Sequence, residues 1–427
     1  MGSNKHVAGA ARVKSVLREA AKGQFETKYR AFHPFPARMP LELATNLIDH
    51  LTEPTAQVLD PMLGSGTTAI AARKLGRPCY GSDLDPMAVT LSRAATSYYS
   101  KNTFDRVRDH VYDRATSLLK KRPYFVSIDR LKMPEESKEF IEYWFPAESQ
   151  EQLLALARAI GEIDSTSESR LAWAVFSSLI IAKSATASYA TDTSRTRPRR
   201  NFSKEVVLPF DAWERRFREA EKRMPFVGKK PPVGASCSIS VADARALSIP
   251  DASVDFILTS PPYLNAIDYL RSHKMSLVWM GHDLADLREL RGTMCGSARG
   301  MYQIDGLPTR LESRLSSEIV VPRRQAIFRR YLSDVRRVFS QVKRVLKPGG
   351  VAILVFGPDL LTSDVDDTAQ TIRQLSRQAG LHYVDGIPRE IGGGRSLPFP
   401  TSPSSDSPLA KRMRQELMIA LRNPASV

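Results

Sequence analysis

The sequence predicts an α/β protein built on a mostly parallel sheet, interrupted by a long helical insertion. Three observations carry this. A short apolar strand, Gln57-Val-Leu-Asp60, runs into a glycine turn at Gly64 and Gly66. A helix follows from Thr67 to Leu75, and then a second strand, Pro78-Cys-Tyr-Gly-Ser-Asp83, which ends in an acid. Strand, turn, helix, strand is the βαβ unit of a parallel sheet. The same rhythm resumes only near Ser238, and the stretch between, 100–235, reads as charged and helix-rich, with Trp144, Trp173 and Trp213.

The remaining elements follow in order. Residues 1–24 form a basic arm with a short helix from Val13 to Ala21. Leu43, Leu47, Ile48 and Leu51 recur at helical spacing. After the insertion, Ile239-Ser-Val-Ala-Asp243 reads as a third strand ending in an acid, and Val254-Asp-Phe-Ile-Leu258 as a fourth, buried one. A polar stretch over 280–325 precedes a helix with Ile327, Tyr331, Val335, Val338, Val342 and Val345 on one face. Lys347-Pro-Gly-Gly350 ends that helix and Val351 to Phe356 is a fifth strand. Leu381 to Val384 and Glu416 to Leu421 read as the last two, separated by a Gly/Pro/Ser-rich loop over 391–408. The expected division is a basic arm (1–24), an α/β domain in two pieces (25–99 and 236–427), and the helical insertion (100–235), a segment in excess of that domain.

The chain has 427 residues, 62 Lys and Arg against 46 Asp and Glu, and a formal charge of +16. Such an excess of cations serves a polyanion more often than not, because each phosphate neutralised releases condensed counterions. The alternative reading is charge for solubility. Cys79, Cys237 and Cys295 have no metal-ligand spacing and an odd number cannot all pair, which suits a reducing cytosol and predicts no metal. No apolar signal core opens the sequence, so secretion is not expected. The longest apolar stretch, Leu171 to Ala182, is too short for a membrane span and reads as a buried helix.

A parallel sheet binds its ligand beyond the carboxyl ends of its strands, where the strand order reverses. Asp60, Pro61, Gly64, Ser65, Gly66, Thr67, Asp83 and Asp243 would all lie on that edge. Glycines allow close approach of the backbone to a ligand. Asp83 can accept from two ribose hydroxyls, and Asp243 suits an adenine amino group. A dinucleotide site remains open, since Ala69 occupies the third position of the G-x-G-x-x-G/A pattern. A nucleoside triphosphatase does not, because Gly66-Thr-Thr68 lacks the P-loop lysine.

The fourth strand leads into Thr259-Ser-Pro-Pro-Tyr263. Ser260 Oγ and the Pro261 carbonyl can accept from an aromatic amine and draw it towards tetrahedral geometry; Pro261 and Pro262 have no amide hydrogen to compete. Tyr263 offers a π face to an extruded base and to developing positive charge. A proline turn without function is the plain alternative. Asn265 and Asp268 fit a base pocket or a helix cap equally.

The glycine loop and this tetrapeptide, in this order, resemble the S-adenosylmethionine (SAM)-dependent DNA amino-methyltransferases. Phe32-His-Pro-Phe-Pro-Ala-Arg38 looks like the family's N-terminal SAM motif, and Lys343 to Phe356 like the helix, turn and strand after its catalytic strand. The resemblance implies a Rossmann-like class I SAM methyltransferase sheet. It implies His33, Phe35, Pro36 and Arg38 at the cofactor, although a lone histidine such as His33 is more often structural. Ser-Pro-Pro-Tyr goes mainly with cytosine N4 and the Asp or Asn forms with adenine N6, so cytosine N4 in double-stranded DNA is expected and adenine N6 is the alternative. A restriction-modification role, with a cognate endonuclease as partner, is also implied, in a bacterial cytoplasm. C5 methylation needs a Pro-Cys nucleophile after this strand, and Pro78-Cys79 lies elsewhere. An RNA amino-methyltransferase and a non-catalytic SAM- or nucleic-acid-binding subunit are the other readings.

For DNA contact the candidates are Arg195, Arg197, Arg199 and Arg200, beside Pro198 and therefore in an exposed loop, with Arg323, Arg324, Arg329 and Arg330 as a second group. A solvated face is the alternative for each.

Overall fold

A computed structural model of the chain describes residues 8–23, 25, 29, 31–35, 38–121, 133–182, 186–193, 198–263, 269–297, 307, 311–313, 321–357, 365–391 and 415–425. Pro36, Arg195, Arg197, Asn265, Asp268 and the loop from 392 onward lie outside the described residues, as do the side chains of Arg323 and Arg324.

Seven strands form the central sheet: β1 (Val58–Asp60), β2 (Cys79–Asp83), β5 (Cys237–Val241), β6 (Val254–Thr259), β7 (Leu346–Phe356), β8 (His382–Glu390) and β9 (Gln415–Arg422). Their spatial order is β5-β2-β1-β6-β7-β9-β8. From β5 to β7 neighbours are parallel, and β9 runs antiparallel to both β7 and β8. The chain moves outward from β1 to β2 and β5, then returns to the other side of β1 with β6. That reversal opens a crevice between β1 and β6 at their carboxyl ends.

Side chains alternate across the sheet, as the two-residue period of a strand requires. Leu59, Ile257, Ala352 and Leu354 face one way, into a core completed by Tyr331, Val335, Val338 and Val342 of α12 (Pro322–Val345) and by Ile372 and Leu375 of α13 (Val365–Gln378). Val58, Phe256, Leu258, Val351 and Ile353 face the other. There they meet Leu43, Leu47 and Ile48 of α2 (Leu41–Leu51), Ile70 of α3 (Thr67–Lys74), and Val13, Val16, Leu17 and Ala20 of α1 (Ala10–Lys22).

The insertion supplies α5 (Lys101–Lys121), α6 (Glu135–Trp144), α7 (Ala147–Gly161), α8 (Thr166–Ile180) and α9 (Pro209–Arg223). Their apolar faces join one core with Met87, Leu91 and Ala94 of α4 (Pro86–Thr96), and with Leu270, Met275 and Leu277 of α10 (Tyr269–Leu277). The stretch read as a buried helix from Leu171 to Ala182 is most of α8, with Leu171, Val175, Phe176 and Leu179 buried. Among the described residues no helix is long and apolar enough to cross a membrane.

Three expectations are corrected. β5 stops at Val241, so Asp243 lies in the turn beyond it. β7 is recorded from Leu346, so Lys347-Pro-Gly-Gly350 belongs to its irregular start, where the register against β6 shifts. Arg199-Arg200 is not loop: it forms β4, paired antiparallel with β3 (Ala190–Thr191).

Candidate active site at the carboxyl edge of the sheet

Asp60 ends β1, and its buried carboxylate accepts from the Met62 amide at 3.1 Å and from Thr259 Oγ1 at 2.7 Å. Burial pushes its carboxyl up to about 6, opposed by the hydrogen bonds from Thr259 and Met62. Thr259 is the residue before Ser260, so this bond ties the glycine loop to the Ser260-Pro-Pro-Tyr263 tetrapeptide. Thr68 Oγ1 adds a second tie by donating to the Leu258 carbonyl at 3.1 Å. The Pro61 carbonyl accepts from Ser82 Oγ at 3.2 Å.

The turn itself demands glycine. Gly66 has φ +83° and a Cβ there would sit 2.9 Å from Ser92 Oγ; Gly64 has φ +51° and its Cβ would meet the Phe35 ring at 3.2 Å. Ser65 is half-buried, and Thr67 is buried at the first turn of α3. Asp83 closes the loop from the next strand, accepting from the Gly64 amide at 2.8 Å and the Asp85 amide at 2.9 Å. Burial, with the nearby Asp85 charge, lifts its carboxyl to about 6.

The N-terminal motif lies against this loop. Phe35 stacks on Tyr269 with centroids 4.6 Å apart and stands 5.5 Å from the His273 ring. His33 is buried, with Nε2 2.9 Å from Ser177 Oγ, and Ser177 in turn 2.9 Å from Ser276 Oγ. Burial, with His273 beside it, lowers its pKa well below the ordinary value, so the ring is neutral at pH 7. Through these bonds His33 knits α8 to α10. Arg38 is half-buried, and its charge opposes the rise to about 12 that burial imposes on the Tyr29 phenol.

Asp243 departs from its expected role. Arg245 donates to both of its carboxylate oxygens, Nε to Oδ1 at 3.0 Å and Nη2 to Oδ2 at 2.7 Å, and also binds Asp334 of α12 at 2.6 Å. Burial works to raise the Asp243 carboxyl, but Arg245 holds it below the usual range. Both of its oxygens are thus engaged by Arg245, while the side chain remains 31% exposed.

The tetrapeptide begins at the end of β6. Ser260 Oγ donates to the Val355 carbonyl at 3.2 Å. Pro261 is buried; Pro262 and Tyr263 are half-buried. The Tyr263 ring packs against Gly357, where a Cβ would come within 2.6 Å of it. Its hydroxyl donates to Glu416 Oε1 at 3.3 Å, and Glu416 is paired with Arg389 at 2.6 Å, both buried.

Several residues here escape a sequence reading. Thr259, Glu416, Arg389 and Gly357 act across strand pairs. Asp85 caps α4 through the Met87 amide and binds His273 Nδ1 at 2.5 Å. Tyr269 and His273 sit just beyond the tetrapeptide on α10. An acid heading an apolar strand, as Glu416 does, is the one signal available in advance. Arg199 is exposed and Arg200 half-buried on the β3–β4 hairpin.

The strand order, with its single reversed strand, and the Asp60–Gly66–Asp83 edge define a Rossmann-like methyltransferase fold of the class that uses S-adenosylmethionine as cofactor. Residues 12–94 match the family model described as DNA methylase, of N6/N4 type. Two curated relatives are similar. The Type II methyltransferase M.MvaI of Kocuria varians is 21% identical over 423 residues, spanning 92% of this chain and 90% of the relative. The Type II methyltransferase M.BsoBI of Geobacillus stearothermophilus is 24% identical over 273 residues, 58% of this chain and about half (52%) of that protein. A solved SAM-dependent methyltransferase from Methanosarcina mazei aligns over 88% of this chain and 95% of its own at 10% identity, with a TM-score of 0.32, too slight a likeness to bear on function. The resemblance to the DNA amino-methyltransferases drawn from the motifs is thus borne out by the family model and both relatives.

Proposed function

We propose that this chain methylates the exocyclic N4 amine of a cytosine flipped out of duplex DNA, using SAM. The observation that carries the proposal is the Asp60–Thr259 hydrogen bond, which joins the glycine loop to Ser260-Pro-Pro-Tyr263 at the switch point. SAM supplies an electrophilic methyl group. Phe35, the Gly64 and Gly66 turn and Asp83 are the residues to hold it.

The chain's own part is to hold and polarise the amine. Ser260 commits its hydroxyl hydrogen to Val355, which leaves the oxygen lone pairs to accept from the base. The Pro261 carbonyl is the second acceptor, and neither Pro261 nor Pro262 can donate an amide hydrogen in competition. An amine held by two acceptors keeps its lone pair directed at the incoming methyl, which is catalysis by position and electrostatics. Tyr263, fixed by Glu416 and Gly357, offers its ring to the flipped base. Serine at the head of the tetrapeptide favours cytosine by resemblance. The Type II names of both relatives support a modification role beside a restriction endonuclease.

Expression in a host free of DNA methylation, followed by digestion of its DNA and mass spectrometry of the nucleosides, tests this. N4-methylcytosine is expected. N6-methyladenine would overturn the choice of base, and no modified base in DNA would overturn the activity.

A further inference from the structure

We infer that Arg200, clamped among aromatic rings of the insertion, reads the major-groove edge of a guanine in the target duplex; this rests on the proposed action on DNA. Its guanidinium carbon lies 4.1 Å from the centroid of the Tyr143 ring, 4.0 Å from Phe202 and 5.7 Å from Tyr189. Phe202 is 66% exposed and Tyr143 50% exposed, so the clamp is at the surface. Large rings left in water beside a cation are an uncommon use of apolar area on a soluble protein, and mark a contact surface.

The arginine has no internal task that would explain the clamp. Among the described residues no carboxylate pairs with Arg200, and its Nε is buried without a partner. By contrast Arg106, Arg108 and Arg114 of the same insertion each meet an acid. The hairpin that carries Arg200 is firmly seated. The Tyr189 amide donates to the Trp144 carbonyl, the Asn201 amide to the Tyr189 carbonyl, and Lys204 Nζ to the carbonyls of Ser188 and Ala190.

The helix that carries Tyr143 also touches the helix that follows the tetrapeptide. Tyr143 belongs to α6, whose Phe140 lies under Lys274 at 5.0 Å. Lys274 belongs to α10, whose first residue, Tyr269, stacks on Phe35 beside the glycine turn. A relay of contacts through α6 and α10 thus links the clamp to the residues beside the glycine turn.

Stacking favours a base edge over a phosphate. A phosphate is satisfied by a mobile cation, and freely swinging side chains serve it well. Rings on a guanidinium fix its plane and remove the entropy that a planar, two-pronged contact would otherwise lose. Guanine offers that contact through O6 and N7, the commonest specific arginine contact in the major groove.

Selection of duplexes from a randomised pool by the purified full chain, with methyl transfer to the selected duplexes assayed in parallel, tests the inference. The wild-type selection is expected to contain a G·C pair at which Arg200→Ala loses about tenfold or more of its preference, with the other positions kept. Arg200→Gln, which retains a planar group among the rings and folds if Arg200→Ala does not, is expected to shift that position towards adenine. An unchanged selected sequence in both variants, or a loss of affinity equal on every sequence, would overturn the inference. A wild-type chain that selects a sequence but transfers no methyl group would sink the proposed activity and leave the reader standing; a wild type that methylates, with variants of unaltered preference, would do the reverse.

Discussion

Asp83 combines two backbone amides with a carboxyl lifted to about 6, and this combination has a consequence for pH. A carboxylate accepts from two hydroxyls, whereas the protonated acid has lost much of that capacity. SAM affinity is therefore expected to be level above about pH 7 and to weaken as pH falls through about 6, by up to about tenfold per unit. Calorimetry from pH 5 to 8 measures this; Asp83→Asn should bind weakly and without the acid-side slope. Stability has the opposite sign. The folded carboxyl is raised above its unfolded value, so its contribution is greatest below about 4 and is lost as pH rises to about 6. Ser260 calls for a different readout. Ser260→Ala removes one acceptor for the amine and nothing from the cofactor loop. The single-turnover rate is expected to fall on the order of a hundredfold, with SAM affinity within about twofold of the wild type.

At the scale of elements, the crevice between β1 and β6 is held by two threonine side chains as well as by the strand ladder. Thr259→Val deletes a buried donor at constant shape and leaves one Asp60 oxygen less satisfied, at a cost of about 1–3 kcal/mol. Denaturant unfolding is expected to register that loss. Methyl transfer should fall by more than SAM binding does, because Ser260 follows directly on the freed strand end. A variant with wild-type stability would mean that the Asp60 contact is not structural. The glycine turn, the apolar strands and the α12 face were legible because each is a local pattern: a turn composition, a continuous apolar run, or a 3.6-residue period. Asp243 was legible as a strand-end acid, but not as the partner of Arg245 and Asp334. Which cation claims a carboxylate depends on helix packing, and no spacing in the chain encodes that.

At the scale of the whole molecule, the helices between 101 and 223 share their core with α4 and α10. His33, Ser177 and Ser276 reinforce that union with a buried hydrogen-bond chain. Excising 101–223 would strip the partners from Met87, Leu91, Leu270 and Met275 and expose a large apolar face. The shortened chain is expected to be insoluble or to unfold without cooperativity, as monitored by circular dichroism. A soluble, SAM-binding remnant would show that the sheet stands alone. The charge of +16 acts at this scale too: DNA affinity should fall steeply with salt, and a flat dependence would exclude a phosphate-tracking interface.

The linear sequence by itself determined the class of fold, the glycine turn, the tetrapeptide and the presence of a large helical insertion. Each is written in contiguous residues whose chemistry needs no distant partner to be read. Tertiary structure alone decided that Thr259 joins Asp60 across 199 positions, that Glu416 and Arg389 hold Tyr263, and that Arg245 occupies Asp243. It also turned part of a basic run into a hairpin, and set Arg200 among rings from α6 and from the residues flanking that hairpin. The physical reason is common to all of these. A charged or polar side chain takes its role from the partners that burial brings within about 3–4 Å, and sequence separation carries almost no information about which partners those are.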